Sequence, residues 1–142
     1  MDLDALRSVN GDVIGWIEMV LRIAVMAGPL LLLGFGLLYL LAPPKEANYS
    51  LGYRFWWGMS SLDAWQFTQH IAGLVWSALG TGLTIVMALI CNSFRRMEPM
   101  DMVWSAVKCL GWELVLVVLA CLAINITVFA KFDSTGYRRG IQ

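Results

Sequence analysis

The sequence predicts an all-α integral membrane protein, a bundle of three transmembrane helices joined by two loops. Of its 142 residues, 59% are hydrophobic and only 14% are charged, and its mean hydropathy is +0.69. Soluble domains carry about 25% charged residues, and a chain this small exposes much of its surface. Part of that surface must therefore face lipid. The net charge is zero, which gives no reason to expect a nucleic-acid partner in addition to the lipid bilayer.

Three stretches without charged residues account for the three predicted helices. Ile23 to Ala42, Ala64 to Phe94 and Leu114 to Ala130 contain no Asp, Glu, Lys or Arg, and a helix needs about 20 apolar residues to cross the hydrocarbon core. Pro43-Pro44 ends the first helix, because proline cannot donate the hydrogen bond that continues it. Residues 1–15 are predicted to form a short surface helix or a loose segment. The single membrane domain divides into five further segments, at about residues 16–42, 43–62, 63–92, 100–130 and 131–142.

A stripe of small residues marks the second predicted helix. Gly73, Ser77 and Thr81 recur every four residues, which is the spacing that lets membrane helices approach closely. Together with the thin three-helix bundle, this stripe favours a partner, either a larger membrane protein or a second copy of the chain.

The helix count places the two ends of the bundle in different compartments. The loop 43–62 and the C-terminal tail share one side, and the N-terminus and the loop 92–101 share the other. Lysine and arginine mark the cytoplasmic side of membrane proteins. The loop-and-tail side has Lys45, Arg54, Lys131, Arg138 and Arg139. The other side has Arg7, Arg95 and Arg96, and it reaches the same number if Arg22 and Lys108 inside the helix ends are counted. We expect the loop 43–62 and the C-terminus to be cytoplasmic.

A short internal similarity joins the loop and the tail. Residues 50–54, SLGYR, are similar to residues 134–138, STGYR, and both segments follow a predicted helix. In each segment we expect the glycine to supply a turn, the tyrosine an interfacial ring and the arginine a contact to a headgroup or a carboxylate. A true repeat and a chance match of five residues are both open interpretations.

Four charged residues near the starts of helices 1 and 3 form a predicted intramembrane polar cluster, namely Glu18, Arg22, Lys108 and Glu113. Glu18 and Arg22 are four residues apart, so they share a helix face and can pair. A charge in or near the membrane needs a partner, and we predict Arg22–Glu113 as the pair that links the two helices. The alternative is that the basic side chains reach water independently.

The stretch 48–70, NYSLGYRFWWGMSSLDAWQFTQH, is the only long polar interruption and the predicted functional region. Ser60 and Asp63 fit the S-x-x-D form of a capping box, which predicts a helix start with Trp65 in its first turns. Arg54 offers a planar donor fork for a carboxylate or phosphate, and the tryptophan rings suit a peptide or an interface. The alternative is an aromatic belt with Arg54 on lipid phosphate.

The sequence contains no motif of hydrolytic, nucleotide-binding or metal-binding enzymes. His70 is its only histidine, and Cys91, Cys109 and Cys121 lack the CxxC spacing of zinc sites. We therefore expect no enzymatic activity, no cofactor and no metal, and we expect the cysteines to be packed as small apolar residues.

A set of positions in the stretch 48–70 has a fixed spacing: Asn48-x-x-x-Gly52-Tyr53-Arg54, then Ser60, then Asp63-Ala64-Trp65-x-Phe67-x-Gln69, then Gly73. This pattern resembles the signature of the SdpI/YfhL family of small bacterial membrane proteins. In that family an N-x-x-x-G-Y/I-R-T segment precedes a serine and a W-x-x-A-x-x-x-x-G segment that opens a membrane helix. Phe55-Trp56 stand where the family often has Thr-Pro, and Thr68 replaces a usual small residue.

The resemblance implies a function without catalysis. The family's namesake is an immunity protein that protects a cell from its own secreted, membrane-active peptide toxin. By resemblance, this chain is an inner-membrane protein of bacteria with an immunity-like role in bacteriocin resistance, and it binds or senses such a toxin. The implied ligand-binding residues are Asn48, Gly52, Tyr53, Arg54, Ser60, Trp65 and Gln69. The alternative is an accessory or scaffolding subunit of a membrane transporter or signalling complex.

Overall fold

The computed structural model describes the backbone of residues 3–46 and 51–139, and the side chains from residue 10 onward within those ranges. Its main elements are three helices, α1 Leu3–Leu41, α2 Leu62–Ser93 and α3 Pro99–Lys131. All three are long and apolar enough to cross a membrane. Within the described ranges there is no β-strand. The predicted fold class, an all-α multi-pass membrane bundle, is confirmed.

Helix α1 includes residues 3–15, for which the sequence predicted either a short surface helix or a loose segment. It begins at Leu3 and continues without interruption through Pro29 to Leu41, just before Pro43-Pro44 as predicted. Its 39 residues correspond to a length of about 58 Å at 1.5 Å per residue. Because a bilayer core is about 30 Å thick, a membrane leaves part of α1 outside the hydrocarbon.

The start of α2 lies one residue later than the predicted capping box. Ser61 is the N-cap, and its Oγ accepts a hydrogen bond from the Ala64 N–H at 3.1 Å. Ser60 instead belongs to the preceding turn, since its Oγ donates to the Trp57 carbonyl at 2.6 Å. The predicted Ser60–Asp63 box is therefore wrong in register, and the Asp63 carboxylate pairs with the tail instead.

Small residues bring α1 and α2 into backbone contact. A Cβ on Gly36 of α1 would collide with the backbone and Oγ of Ser77, and a Cβ on Gly73 would lie 2.9 Å from Leu40 Cγ. The predicted stripe is thus used at Gly73 and Ser77, but Thr81 is exposed. Because the stripe packs against a helix of the same chain, it no longer indicates an external partner.

Contacts at the two ends of the bundle match the predicted arrangement. At one end, the tail reaches the start of α2, where Ser61 Oγ donates to the Gly136 carbonyl at 2.8 Å. At the other end, Arg95 Nε in the turn after α2 lies 3.9 Å from Glu18 Oε1 of α1. The loop and the tail therefore share one end, and the N-terminal part of α1 shares the other end with the α2–α3 turn.

Candidate functional site

The loop before α2 is attached to that helix by a pair of hydrogen bonds. The Tyr53 N–H donates to Gln69 Oε1, and Gln69 Nε2 donates to the Tyr53 carbonyl, each at 2.8 Å. Gln69 is fully buried, and a buried amide costs free energy unless its hydrogen bonds are formed. Its two groups are satisfied by one residue of the loop, so the loop is held in one position on α2.

Gly52 allows the loop to lie directly on Trp65. Its φ is +124°, a conformation that residues with a Cβ rarely adopt. A Cβ at this position would also lie 2.6 Å from Trp65 Cη2. Trp65 is itself fully buried, and its Nε1–H donates to the Pro44 carbonyl at 2.8 Å. The indole therefore holds both the beginning and the middle of the loop.

The side chain of Tyr53 extends the attachment to α3. Its hydroxyl donates to Asn125 Oδ1 at 2.8 Å and lies 3.3 Å from the Cys121 carbonyl oxygen. The ring meets Trp76 edge-on, with 5.5 Å between the ring centroids. Burial raises the pKa of Tyr53 far above its usual value, so the hydroxyl keeps the proton that it donates.

The tail makes a similar turn but binds α2 through charge. Gly136 has a φ of +83° and lies against Ser61. Arg138 donates two hydrogen bonds to the Asp63 carboxylate, at 2.7 and 2.9 Å. Hydrogen bonds from the Thr135 hydroxyl and the Tyr137 N–H lower the pKa of Asp133. The charged Asp133 carboxylate stabilises the turn as the acceptor of these bonds.

The two similar segments share a turn glycine with positive φ but differ in their side-chain contacts. Both Gly52 and Gly136 have positive φ angles, as a turn glycine requires. Tyr53 is hydrogen-bonded inside the bundle, whereas Tyr137 is exposed. Arg138 finds the predicted carboxylate, while Arg54 is exposed at the protein surface.

An open, mostly apolar groove of about 280 Å³ lies beside the attached loop. It is lined by Phe55, Asn125, Ile126, Phe129, Ala130 and Arg139. The Arg139 guanidinium lies 5.6 Å from the centre of the Phe129 ring, close enough for a cation–π contact. The Arg139 N–H donates to the Lys131 carbonyl at 2.9 Å, so the tail backbone holds this arginine at the rim.

Four of the seven predicted ligand-binding residues come together, but they bind one another. Gly52, Tyr53, Trp65 and Gln69 form the attachment just described. Arg54 and Ser60 are exposed, and Asn48 lies outside the described residues.

The groove residues on α3 and the tail were missed by sequence reasoning, because only the fold brings them next to the loop. One signal was available: Asn125 is the only amide side chain between Leu114 and Ala130.

The predicted intramembrane cluster is divided between two depths. Arg22 pairs with Glu18 within α1, with 2.6 Å between Nη2 and Oε1, while Lys108 is exposed. Glu113 is buried against Gly28, which lies about 15 Å further along α1 than Glu18 at 1.5 Å per residue. The predicted Arg22–Glu113 pair is therefore not formed among the described residues.

The fold and the site define a small multi-pass membrane protein whose polar loop closes onto its second and third helices. The model of the SdpI/YfhL protein family matches residues 45–131, more than half of the chain, and the chain belongs to this family. The matched region contains the attached loop, α2 and α3. Comparison with curated proteins and with solved structures gave no match.

Proposed function

We propose that this protein is an immunity-like protein of the bacterial inner membrane, which binds or senses a membrane-active peptide toxin without catalysing a reaction. The observation that carries the proposal is the groove beside the attached loop, within a chain of the SdpI/YfhL family. The family includes an immunity protein, and the groove offers a place for a peptide segment.

The chemistry of the groove suits an amphipathic peptide at a membrane surface. Its walls are apolar and aromatic, while Asn125 and Arg139 supply polar groups at the same place. A guanidinium binds carboxylates and carbonyl oxygens through a planar set of donors, and aromatic rings cover apolar side chains. Asn125, Phe129 and Ala130 lie in the last turns of α3, where a spanning helix approaches the headgroups.

This proposal gives the family signature residues two different roles. Gly52, Trp65 and Gln69 are positioning residues, because their contacts are made inside the chain. Arg54 and Phe55 follow directly after the attached Tyr53, so they are presented at the surface by that attachment. Ligand contact then falls to Arg54, Phe55, Phe129 and Arg139.

The test is expression in a toxin-sensitive host that is exposed to a panel of membrane-active peptide bacteriocins. The unmodified protein is expected to raise the inhibitory concentration of at least one of them. Arg54→Ala and Arg139→Ala are expected to abolish that protection at unchanged membrane abundance. The matched control is Arg96→Ala, an exposed arginine at the opposite end of the bundle, which should protect normally. No protection against any peptide of the panel would refute the immunity role.

The loop and the C-terminus are proposed to face the cytoplasm, so that the groove meets a toxin that has already inserted into the membrane. Ser60→Cys and Ser134→Cys place exposed thiols on the loop-and-tail end, and Glu98→Cys places one at the other end. In intact cells, a membrane-impermeant maleimide should label only Glu98→Cys above the background of the unmodified protein. Labelling of Ser60→Cys instead would reverse the orientation and place the groove outside the cell.

A further inference from the structure

A second cavity, of about 360 Å³, lies between the middle parts of the three helices. Its walls are apolar and include Leu32 and Phe35 of α1, Trp76 of α2 and Leu110 of α3. One carboxylate, that of Glu113, also lines it. No residue of the attached loop contributes to this cavity, so it is separate from the groove described above.

Glu113 is a buried acid for which the described part of the chain offers no partner. Glu113 is 6% exposed, and its Oε1 has no hydrogen-bond donor among the described residues. Arg22 is engaged by Glu18. Lys108 precedes Glu113 by five residues, which places it about 140° around the helix. A buried charge without a counterion is strongly destabilising, and ionisable groups inside membranes are commonly functional.

Gly28 of α1 lies against this carboxylate. A Cβ on Gly28 would lie 2.8 Å from Glu113 Oε2, so the acid rests against the backbone of α1 and an alanine at this position would make the carboxylate shift. Trp76 Nε1 is also buried without a hydrogen-bond partner among the described residues, so it does not satisfy the Glu113 carboxylate.

The cavity is accessible from lipid rather than from water. Two of its lining residues, Leu31 and Leu114, are 60% and 65% exposed, and both lie inside helices that are apolar enough to span the membrane. Its volume is at the lower end of the ~300–1,000 Å³ typical of small-molecule pockets.

We propose that this cavity is a binding site for a lipid-soluble amine. The protonated nitrogen pairs with the Glu113 carboxylate and supplies a counterion, while the alkyl chain lies against the leucine and phenylalanine side chains. Trp76, whose side chain is of the kind that binds cations best, also lines the cavity. This inference does not depend on the proposed toxin binding, because it uses different residues and a different ligand class.

The test is binding of radiolabelled dodecylamine to the purified full-length protein in nanodiscs of zwitterionic lipid, with specific binding defined by displacement. For the unmodified protein, unlabelled dodecylamine should compete at least tenfold better than dodecan-1-ol or dodecanoic acid. Both competitors keep the twelve-carbon alkyl chain. Dodecan-1-ol lacks the positive charge of the amine, and dodecanoic acid carries the opposite charge. Equal competition by dodecan-1-ol would overturn the proposal without any substitution.

Two variants test the residues. Glu113→Gln keeps the shape of the side chain and removes its charge, and Gly28→Ala displaces the carboxylate; each should weaken dodecylamine binding at least tenfold. The matched control is Glu98→Gln, the same change at an exposed glutamate in the α2–α3 turn, which should bind as the unmodified protein does. Binding of Glu113→Gln within twofold of the unmodified protein would assign the amine to another place.

Discussion

Gln69 forms hydrogen bonds with both backbone groups of Tyr53, a residue sixteen positions earlier in the chain. The Gln69 amide pairs with the Tyr53 backbone as a neighbouring β-strand would, because it offers one donor and one acceptor to the same residue. The loop thereby gains a fixed position on α2 without secondary structure of its own. Arg54, which is exposed and follows Tyr53 directly, is placed by this attachment.

Gln69→Leu is expected to release the loop. The change leaves the Tyr53 N–H and carbonyl unpaired at a half-buried place, which costs about 2–4 kcal/mol of stability for two groups. The measurement is thermal unfolding of the purified protein, combined with hydrogen exchange of residues 51–56. Gln66→Leu is the control, because Gln66 is exposed on the same helix. Unchanged exchange in the Gln69 variant would show that the pair does not hold the loop.

Gly52→Ala is expected to destabilise the protein by about 1–3 kcal/mol, because alanine is strained at a φ of +124° and its Cβ meets Trp65. The same substitution at Gly82 provides the control, since a Cβ there meets nothing within 4 Å and the residue lies within α2. Alanine is the better helix former, so Gly82→Ala should be neutral or stabilising. Equal melting temperatures for the two variants would contradict this account of Gly52.

The sequence is sufficient for the parts of this fold that depend on local composition. Uncharged stretches locate the three helices, and Pro43-Pro44 locates the end of α1. Two adjacent serines precede α2, and Ser61 caps it through the Ala64 N–H, while Ser60 Oγ donates to the Trp57 carbonyl of the preceding turn. Ser61 also binds the Gly136 carbonyl, a partner 75 residues away that no local pattern can indicate.

The depth of Glu113 was mispredicted for a similar reason. Its place near the predicted start of helix 3 put it in one polar cluster with Glu18, but packing brings it opposite Gly28 instead. The residue that makes room for the carboxylate is a glycine on another helix. Nothing in the sequence around Glu113 indicates that glycine.

The Tyr53 hydroxyl and Asn125 are expected to be energetically coupled, because among the described residues they form the one hydrogen bond between a loop side chain and an α3 side chain. Tyr53→Phe and Asn125→Ala should each destabilise the protein, and the double variant should lose about 1 kcal/mol less than the sum. A double-mutant cycle of unfolding free energies measures this coupling. Strictly additive effects would mean that the bond contributes nothing to holding the loop.

Asp63 and Arg138 are expected to hold the tail on α2 through charge, since their bidentate contact is exposed and joins the helix start to the end of the described chain. Asp63→Arg should increase the rate at which trypsin cleaves after Lys131, and so should Arg138→Asp. The double exchange restores opposite charges and should slow cleavage again. Lys131 is exposed and common to all variants. The product that ends at Lys131 is followed by mass, because Asp63→Arg adds a trypsin site and Arg138→Asp removes one. Because exposed ion pairs are screened by salt, the protection in the unmodified protein should also decrease between low and high ionic strength. If the double exchange is cleaved as fast as the single variants, the tail is held by the Gly136 turn rather than by this pair.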